Sequence, residues 1–245
     1  MDAIGATPQR LYLLPLGTTT VPTPGGPLVL SSGCYLVHMG DGERILIDSG
    51  LPAGYAPPPG TPPATEERDV LAHLADLGLA PADIDVLICT HFDVDHAGYH
   101  DAFPQAEFVV QREHYDLARG GHPRFGAARP HWDHPALRYR LVDGDTTLRP
   151  GLTLLATGGH APGHQSVLVR LPRTGPVLLA IDAVVLERLF TPERRAWPTD
   201  DDEGQLRAST RKLLDLVARE RVALVVFGHD GWQWETLRRA PAFYD

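Results

Sequence analysis

Two observations predict a layered α/β or α+β fold. Short apolar runs of strand length alternate with amphipathic helical segments along the 245 residues, and several of these runs end at a histidine or an aspartate. No internal repeat and no hinge-like segment divides the chain, which is long enough to bury a sizeable hydrophobic core. We therefore expect a single domain over residues 1–245, with a functional site at the ends of its strands.

Short runs rich in Val, Ile and Leu, bounded by turn-forming residues, predict the strands. They cover residues 11–14, 34–37, 44–47, 86–89, 107–110, 152–156, 166–169, 177–181 and 223–227.

The helices are predicted from apolar residues at helical spacing. One helix is expected over residues 66–77, where Val70, Leu71 and Leu74 share a face and Gly78 ends the pattern. A second helix is expected to begin near Glu203, with its leucines on one stripe.

Two segments are predicted as loops rather than core. Residues 52–63 are rich in proline and glycine, and residues 119–135 carry glycines, prolines and three histidines. Long loops of this kind are either surface connections or walls of an active site.

Charge and cysteine content narrow the class of protein. The formal net charge of −9 argues against nucleic acid as a partner, since such proteins usually carry a basic face. Cys34 and Cys89 lie in apolar runs and are expected to be buried core residues. No signal peptide and no membrane-length apolar stretch is recognisable. The expectation is a soluble cytoplasmic protein with neither nucleic acid nor membrane as a partner.

The hexapeptide at residues 91–96, His-Phe-Asp-Val-Asp-His, holds four metal-ligand side chains and follows an apolar run. Imidazole and carboxylate groups bind zinc, iron or manganese, and a set with few thiolates favours a catalytic site. Other apolar runs lead to Asp48, His164, Asp182 and His229. If these strands share a sheet edge, their polar ends converge on one site.

Each of these residues has an ordinary structural explanation when it is taken alone. A histidine after a strand is often a hydrogen-bonded core or surface residue, and an aspartate there often belongs to a turn. The histidines without a partner pattern receive that explanation: His38, His73, His100, His114 and His122. The ordered recurrence of ligand residues at strand ends nevertheless favours a metal site.

The chain resembles the metallo-β-lactamase superfamily, and within it most closely the N-acyl homoserine lactone lactonases. The matching segments occur in the family's order and span nearly the whole chain: residues 47–50, 90–98, 159–166, 175–183 and 227–230. The Gly-His-Gln-Ser and Ile-Asp-Ala segments are more specific to the lactonase branch than the histidine–aspartate motif.

The resemblance implies an α+β fold, a four-layer αβ/βα sandwich with a dinuclear metal centre at one edge. Carried over by position, site one takes His91, Asp93 and His164, site two takes Asp95, His96 and His229, and Asp182 bridges both. Asp48 and His160 are expected to support the ligands without binding metal. Two divalent ions are expected, Zn²⁺ first, with Mn²⁺ or Fe²⁺ as alternatives.

Two positions depart from the family pattern. Asp93 stands where histidine is usual, and a carboxylate there should lower the Lewis acidity of the first metal and favour oxygen-loving metals. Val185 stands where well-known lactonases place a tyrosine that polarises the substrate carbonyl. The metals then carry more of the oxyanion charge, unless another donor such as Tyr99 or His160 takes the place of that tyrosine.

The implied activity is hydrolysis of a small-molecule lactone, with N-acyl homoserine lactones as first substrates and a quorum-quenching role. A metal-bridging hydroxide would attack the carbonyl, and Asp95 would carry a proton to the leaving alkoxide. The chain is expected to act as a monomer or homodimer.

Other functions remain open on this scaffold. An esterase or a glyoxalase II-like thioesterase is one alternative, and Arg119, Arg124 and Arg129 could supply the basic pocket that a thiol conjugate needs. A catalytically impaired scaffold is the other, since Asp93 and Val185 both alter the expected machinery.

Overall fold

A computed structural model of the chain describes residues 6–56, 64–65 and 68–245. Within these ranges the strands form a seven-stranded and a five-stranded sheet. The strands are β1 (Pro8–Val21), β2 (Leu28–Met39), β3 (Arg44–Ile47), β4 (Ala64–Thr65), β5 (Val86–Ile88), β6 (Glu107–Gln111), β7 (Arg138–Val142), β8 (Thr146–Arg149), β9 (Leu152–Ala156), β10 (Gln165–Leu171), β11 (Gly175–Ile181) and β12 (Leu224–Phe227). The helices are α1 (Val70–Asp76), α2 (Arg112–Arg119), α3 (Arg129–Trp132), α4 (Glu203–Glu220) and α5 (Gly231–Thr236).

The order of the strands determines which residues meet at the sheet edges. The larger sheet has the order β4-β1-β2-β3-β5-β6-β7, and the smaller sheet has the order β12-β11-β10-β9-β8. β3, β5, β6 and β7 pair in parallel, as do β11 and β12. Because parallel strands end at the same edge, the residues that follow β3 and β5 are brought together, as are those that follow β11 and β12.

Both faces of the larger sheet are buried, and this explains its continuous apolar runs. In β1, Leu11 and Leu13 join one apolar cluster, whereas Tyr12 and Leu14 join another. Side chains alternate across a strand, so a run that is apolar at every position must be covered on both faces.

Three apolar clusters define the layers. The first combines side chains from both sheets, such as Ile47 and Val167, and therefore lies between them. The second contains Val70 and Leu74 of α1 and covers the outer face of the larger sheet. The third contains Leu213 of α4 on the outer face of the smaller sheet. The order helix, sheet, sheet, helix confirms the predicted four-layer α+β sandwich.

The nine predicted strands are all present, but β4, β7 and β8 were not predicted. The helix expected over residues 66–77 spans Val70–Asp76, and its start is capped by the Asp69 carboxylate, which accepts from the Ala72 N–H at 2.8 Å. Residues 66–67 lie outside the described ranges. The helix expected near Glu203 is α4.

The prediction that residues 119–135 stand apart from the core was wrong. Phe125 and Trp132 are buried, and the Trp132 ring stacks on Phe92 with ring centroids 4.7 Å apart. Phe92 lies inside the ligand hexapeptide, so this loop forms one wall of the site. Of the other predicted loop, residues 57–63 lie outside the described ranges. None of the described helices is long and apolar enough to cross a membrane.

Replacing Leu179 tests the core between the sheets. Leu179→Ala should lower the free energy of unfolding by about 2–5 kcal/mol, because it opens a cavity at a fully buried position. Leu117→Ala removes the same atoms at a position 37% exposed and should change it by less than about 0.5 kcal/mol. Denaturant titration measures both, and equal effects would contradict the assignment of Leu179 to the core.

Candidate metal centre

The strand ends deliver the predicted site residues to one edge of the sandwich. Asp48 follows β3 directly, and His91 stands three residues after the end of β5. On the smaller sheet, Asp182 follows β11 directly and His229 stands two residues after β12. The parallel pairing of these strands thus converts positions distant in sequence into neighbours.

The ligand hexapeptide ends in a helix-like turn. The N–H groups of His96 and Ala97 both donate to the Asp93 carbonyl, at 2.9 and 3.1 Å. The turn is held against the segment after β3, since the Gly98 N–H donates to the Gly50 carbonyl at 2.6 Å. A Cβ atom on Gly98 would lie 2.1 Å from the Pro52 nitrogen, so this close approach requires glycine.

Three groups of side chains have ligand atoms within 4.8 Å of one another. They are His91, Asp93 and His160; His91, His96 and Asp182; and Asp95, His96 and His229. The hexapeptide is therefore brought together with Asp182 and His229 as predicted.

Asp182 lies between the two halves of the centre. Its Oδ2 is 3.1 Å from His229 Nε2 and 3.9 Å from His91 Nε2, and its Oδ1 is 3.6 Å from His96 Nε2. One carboxylate thus reaches imidazoles of both predicted sites, which is the position a bridging ligand needs.

Four of the buried polar atoms that lack a hydrogen-bond partner among the described residues lie at this centre. They are His91 Nε2, His96 Nε2, His164 Nε2 and Asp182 Oδ1. Leaving such atoms buried and unpaired is costly, and a cation removes that cost by accepting their lone pairs. The mixed imidazole and carboxylate set suits zinc, iron or manganese. The residues therefore fit a metal centre.

Hydrogen bonds at the far ring nitrogen orient the imidazoles. Nδ1 of His96 is 2.8 Å from Asp48 Oδ2, and Nδ1 of His229 is 2.9 Å from the Ser31 carbonyl oxygen. Nδ1 of His164 is 2.9 Å from Thr157 Oγ1 and 3.1 Å from the Thr157 carbonyl. A proton on Nδ1 leaves the Nε2 lone pair free for a metal.

Asp48 has the supporting position predicted for it. It is fully buried and accepts from the Thr90 N–H at 2.8 Å and the Thr90 hydroxyl at 2.6 Å, besides His96 Nδ1–H. Burial raises the pKa of Asp48, and the neighbouring His96 and Thr90 oppose this. Asp48 adopts φ of 60°, a conformation that aspartate tolerates better than most residues.

The electrostatics of the centre favour positive charge. Burial opposes protonation of His96, but the carboxylates of Asp95, Asp182 and Asp48 outweigh it and raise its pKa to about 10. His91 behaves differently, because burial and the nearby His96 lower its pKa to about 3 and keep it neutral. The carboxylates thus attract a cation, and a neutral imidazole is available to bind it.

The sequence predicts His164 as a ligand and His160 as a supporting residue, but it is His160 that lies in a group of ligand atoms. His164 belongs to none of the three groups, although its unpartnered Nε2 is buried and its ring centroid lies 5.0 Å from that of His91. His160 Nε2, by contrast, is 3.3 Å from Asp93 Oδ2. Nδ1 of His160 is 2.8 Å from Asp200 Oδ1.

Arg124 contacts the centre in a way that the sequence did not predict. Its Nε and Nη2 donate to the two carboxylate oxygens of Asp93, at 2.7 and 2.5 Å. These residues are 31 positions apart in the chain, and no local pattern links them. The only signal in the sequence was the cluster of arginines in the loop at residues 119–135.

His114 ties the two ligand-bearing loops together. Its Nε2 accepts from the Phe92 N–H at 2.8 Å, and its Nδ1–H donates to the Pro162 carbonyl at 2.6 Å. This is the hydrogen-bonded core histidine expected of it, but its partners flank the ligands of both loops. Burial lowers the pKa of His114 to about 4, so it stays neutral.

Comparison with known families identifies this chain's relatives. The family model described as "Metallo-beta-lactamase superfamily" matches residues 28–229. The chain belongs to this superfamily. The predicted resemblance is thereby confirmed, and the sandwich with its metal-ligand edge is the superfamily's fold.

Relatives within the superfamily are named as lactonases. An N-acyl homoserine lactonase from a Bacillus species is 33% identical, with 91% of this chain and 94% of that protein covered. N-acyl homoserine lactonase AiiA from Bacillus thuringiensis subsp. kurstaki is 32% identical, with 97% and 99% covered.

Solved structures support the same relationship. A quorum-quenching N-acyl homoserine lactone lactonase superposes with a TM-score of 0.85 at 32% identity, with both chains fully covered. An N-acyl homoserine lactone hydrolase with the product N-hexanoyl-L-homoserine at its catalytic metal centre has a TM-score of 0.84 at 30% identity, covering 97% of this chain and all of that chain.

Asp48→Asn tests the support that Asp48 gives to His96. The asparagine amide keeps the shape of the carboxylate and tolerates φ of 60°. It is uncharged, however, and its NH2 group faces one of the three groups that donate to Asp48. We expect metal affinity to fall about 10- to 100-fold, the usual effect of losing such a partner. Competition against a chromophoric chelator measures it. The exposed Asp116→Asn is the control, and unchanged affinity in Asp48→Asn would exclude this role.

His114→Phe tests the tie between the loops. The ring still fills the buried space, but the Phe92 N–H and the Pro162 carbonyl lose their partner. Each unsatisfied buried group costs roughly 1–3 kcal/mol, so the free energy of unfolding should fall by about 2 kcal/mol or more. Denaturant titration compares it with His134→Phe at an exposed position, and matching values for the two variants would refute the tie.

Proposed function

We propose that this chain is a metal-dependent hydrolase that opens the lactone ring of N-acyl homoserine lactones. The observation that carries the proposal is the two ligand sets that meet at Asp182, whose carboxylate oxygens lie 3.9 Å from Nε2 of His91 in one set and 3.6 and 3.1 Å from Nε2 of His96 and His229 in the other. They occur in a chain whose fold matches that of a hydrolase with N-hexanoyl-L-homoserine at its catalytic metal centre. Ring opening would account for quorum quenching.

The proposed ligands follow the predicted assignment. His91, Asp93 and His164 would hold a cation at site one, Asp95, His96 and His229 would hold a cation at site two, and Asp182 would bridge them. We propose Zn²⁺, with Mn²⁺ or Fe²⁺ as alternatives. Bound cations of this kind supply Lewis acidity toward a carbonyl and acidify water near neutral pH.

Asp95 is proposed as the residue that moves the proton. Its side chain is 29% exposed, more than Asp93 or Asp182, so a substrate can reach it. Its Oδ2 faces His96 Nε2 at 3.8 Å and His229 Nε2 at 3.7 Å. A carboxylate in this position can take a proton from the attacking water and give it to the leaving alkoxide.

A cavity next to the centre is proposed to receive the acyl chain. Its volume is about 430 Å³, and Leu16, Leu51 and Tyr99 are among the residues that line it. Ser49 connects it to the ligands, because the Ser49 N–H donates to the His96 carbonyl at 2.8 Å. Mixed apolar and polar walls suit an acyl chain that ends in an amide.

Position 185 supplies no side-chain hydrogen-bond donor to the substrate carbonyl. Val185 is buried and has no hydroxyl, and its carbonyl accepts from the His229 N–H at 2.9 Å. Tyr99 lines the cavity with its hydroxyl 3.4 Å from Asp69 Oδ2, a long contact that a substrate can replace. We therefore propose Tyr99 as the protein donor, in preference to His160.

The three arginines that would favour a thiol-conjugate substrate have other partners. Arg119 and Arg129 both pair with Asp133, and Arg124 pairs with Asp93. A basic pocket built from them would first require these ion pairs to break. This favours a lactone over a glutathione-type thioester as substrate.

Asp182→Ala tests the proposed function. The wild type should carry about two metal ions per chain and open N-hexanoyl homoserine lactone and γ-butyrolactone. In Asp182→Ala, kcat/KM should fall at least about 100-fold, because the shared ligand is lost. Asp143→Ala is the control, since Asp143 is 70% exposed and pairs with Arg112. Proton release in a pH-stat follows the reaction.

Three outcomes would refute the proposal. Fully loaded protein that opens no lactone would exclude lactonase activity. A higher kcat/KM on thioesters would favour the thioesterase. Fewer than one metal ion per chain would favour an impaired scaffold.

A further inference from the structure

All five N–H groups of Arg124 have partners. Nε donates to Asp93 Oδ1 at 2.7 Å, and Nη2 donates to Asp93 Oδ2 at 2.5 Å and to His160 Nε2 at 2.8 Å. Nη1 donates to the carbonyls of His160 and Thr199, both at 2.7 Å. A guanidinium with every donor satisfied is held in one orientation.

This orientation determines the role of His160. A guanidinium nitrogen can only donate, so in its contact with Arg124 His160 Nε2 accepts when the ring carries its proton on Nδ1, which faces Asp200 Oδ1 at 2.8 Å. Nε2 also lies 3.2 Å from Asp182 Oδ2. The Nε2 lone pair is then occupied by Arg124. His160 thus holds Arg124 through both its ring nitrogen and its carbonyl oxygen.

Arg124 leaves Asp93 able to bind a cation. The two hydrogen bonds from Arg124 to Asp93 form a bidentate fork that uses one lone pair on each carboxylate oxygen. Each oxygen keeps a second lone pair that can bind a cation. Oδ2 also faces His91 Nε2 at 3.4 Å, on the side of the centre. The Arg124 guanidinium thus fixes the Asp93 carboxylate, while Oδ2 of Asp93 faces the unpartnered Nε2 of His91.

The ion pair between Arg124 and Asp93 also offsets part of the negative charge at the centre. Asp93, Asp95 and Asp182 bring three carboxylates to one place, whereas an imidazole at position 93 would add no charge. Arg124 is 19% exposed and Asp93 is 17% exposed, so water screens their attraction only in part.

We propose that Arg124 is a positioning residue for site one, and that Asp93 and Arg124 together act as one neutral ligand. This inference rests on the proposed ligand set and specifies how its unusual member works. Arg124 orients Asp93 Oδ2 toward His91 and cancels the charge that the carboxylate adds. If the fork instead excluded a cation, the buried Nε2 atoms of His91 and His164 would stay unpaired.

A double-mutant cycle tests the proposal through metal binding. Arg124→Gln, Asp93→His and the double variant are compared with the wild type, with Zn²⁺ and Co²⁺ as probes. Metal content after gel filtration gives the stoichiometry, chelator competition gives the affinities, and the Co²⁺ visible spectrum reports the coordination. Thermal unfolding of the metal-free proteins checks that each variant folds.

We expect the effect of Arg124→Gln on metal affinity to depend on which residue stands at position 93. In the wild-type background, Arg124→Gln should weaken the first site about 10- to 100-fold and leave the second unchanged. In the Asp93→His background, Arg124 faces a cation with no carboxylate between them, so its removal should leave the affinity unchanged or raise it. A merely structural arginine would lower the affinity in both backgrounds. Arg119→Gln, which lies in the same segment and pairs with Asp133, is the matched control.

Specific outcomes would overturn the inference. Equal losses in both backgrounds, or two metal ions bound with wild-type affinity in Arg124→Gln, would remove the positioning role. One metal ion per wild-type chain would mean that the fork blocks site one. Lactone turnover is not among these readouts. A protein that shows the expected cycle but opens no lactone would refute the proposed function alone.

Discussion

The concentration of carboxylates at one edge of the sandwich is the constraint on which the rest of the site depends. Asp93, Asp95 and Asp182 lie within 4 Å of imidazole nitrogens that are mostly shielded from water. Such a cluster is unfavourable unless positive charge enters it, as the pKa of about 10 for His96 indicates. The protein supplies part of that charge with Arg124, and the unpaired imidazole nitrogens leave room for cations to supply the rest.

The geometry of the centre depends on the docking of the two sheets. His96 is oriented by Asp48 at the end of β3, and His229 by the Ser31 carbonyl in β2, although His229 itself follows β12 of the other sheet. A ligand from one sheet is thus held by a carbonyl from the other. The apolar cluster between the sheets therefore fixes ligand positions as well as stability, and cation binding should stabilise the folded chain in return.

Periodicity and strand ends predicted much of the fold and site, and the failures have physical causes. Apolar runs revealed the central strands because both faces of the larger sheet are buried. β7 was not predicted because Arg138 and Arg140 alternate with apolar residues in it. It lies at the edge of the sheet, where one face meets water. The contacts of Arg124 and His114 were not predicted because their partners lie 22 to 75 positions away, and only the tertiary fold brings them together.

Asp93 illustrates why a ligand's chemistry depends on what stands behind it. A carboxylate donates more charge to a metal than imidazole does, and on that ground alone Asp93 should weaken the Lewis acidity of site one. Two short hydrogen bonds from Arg124 withdraw electron density from both of its oxygens. Under the proposed pairing, Asp93 becomes a weaker donor, closer to a neutral imidazole in charge but still an oxygen ligand. Site one would then keep its power to polarise a carbonyl, while its preference for metals shifts toward those that favour oxygen.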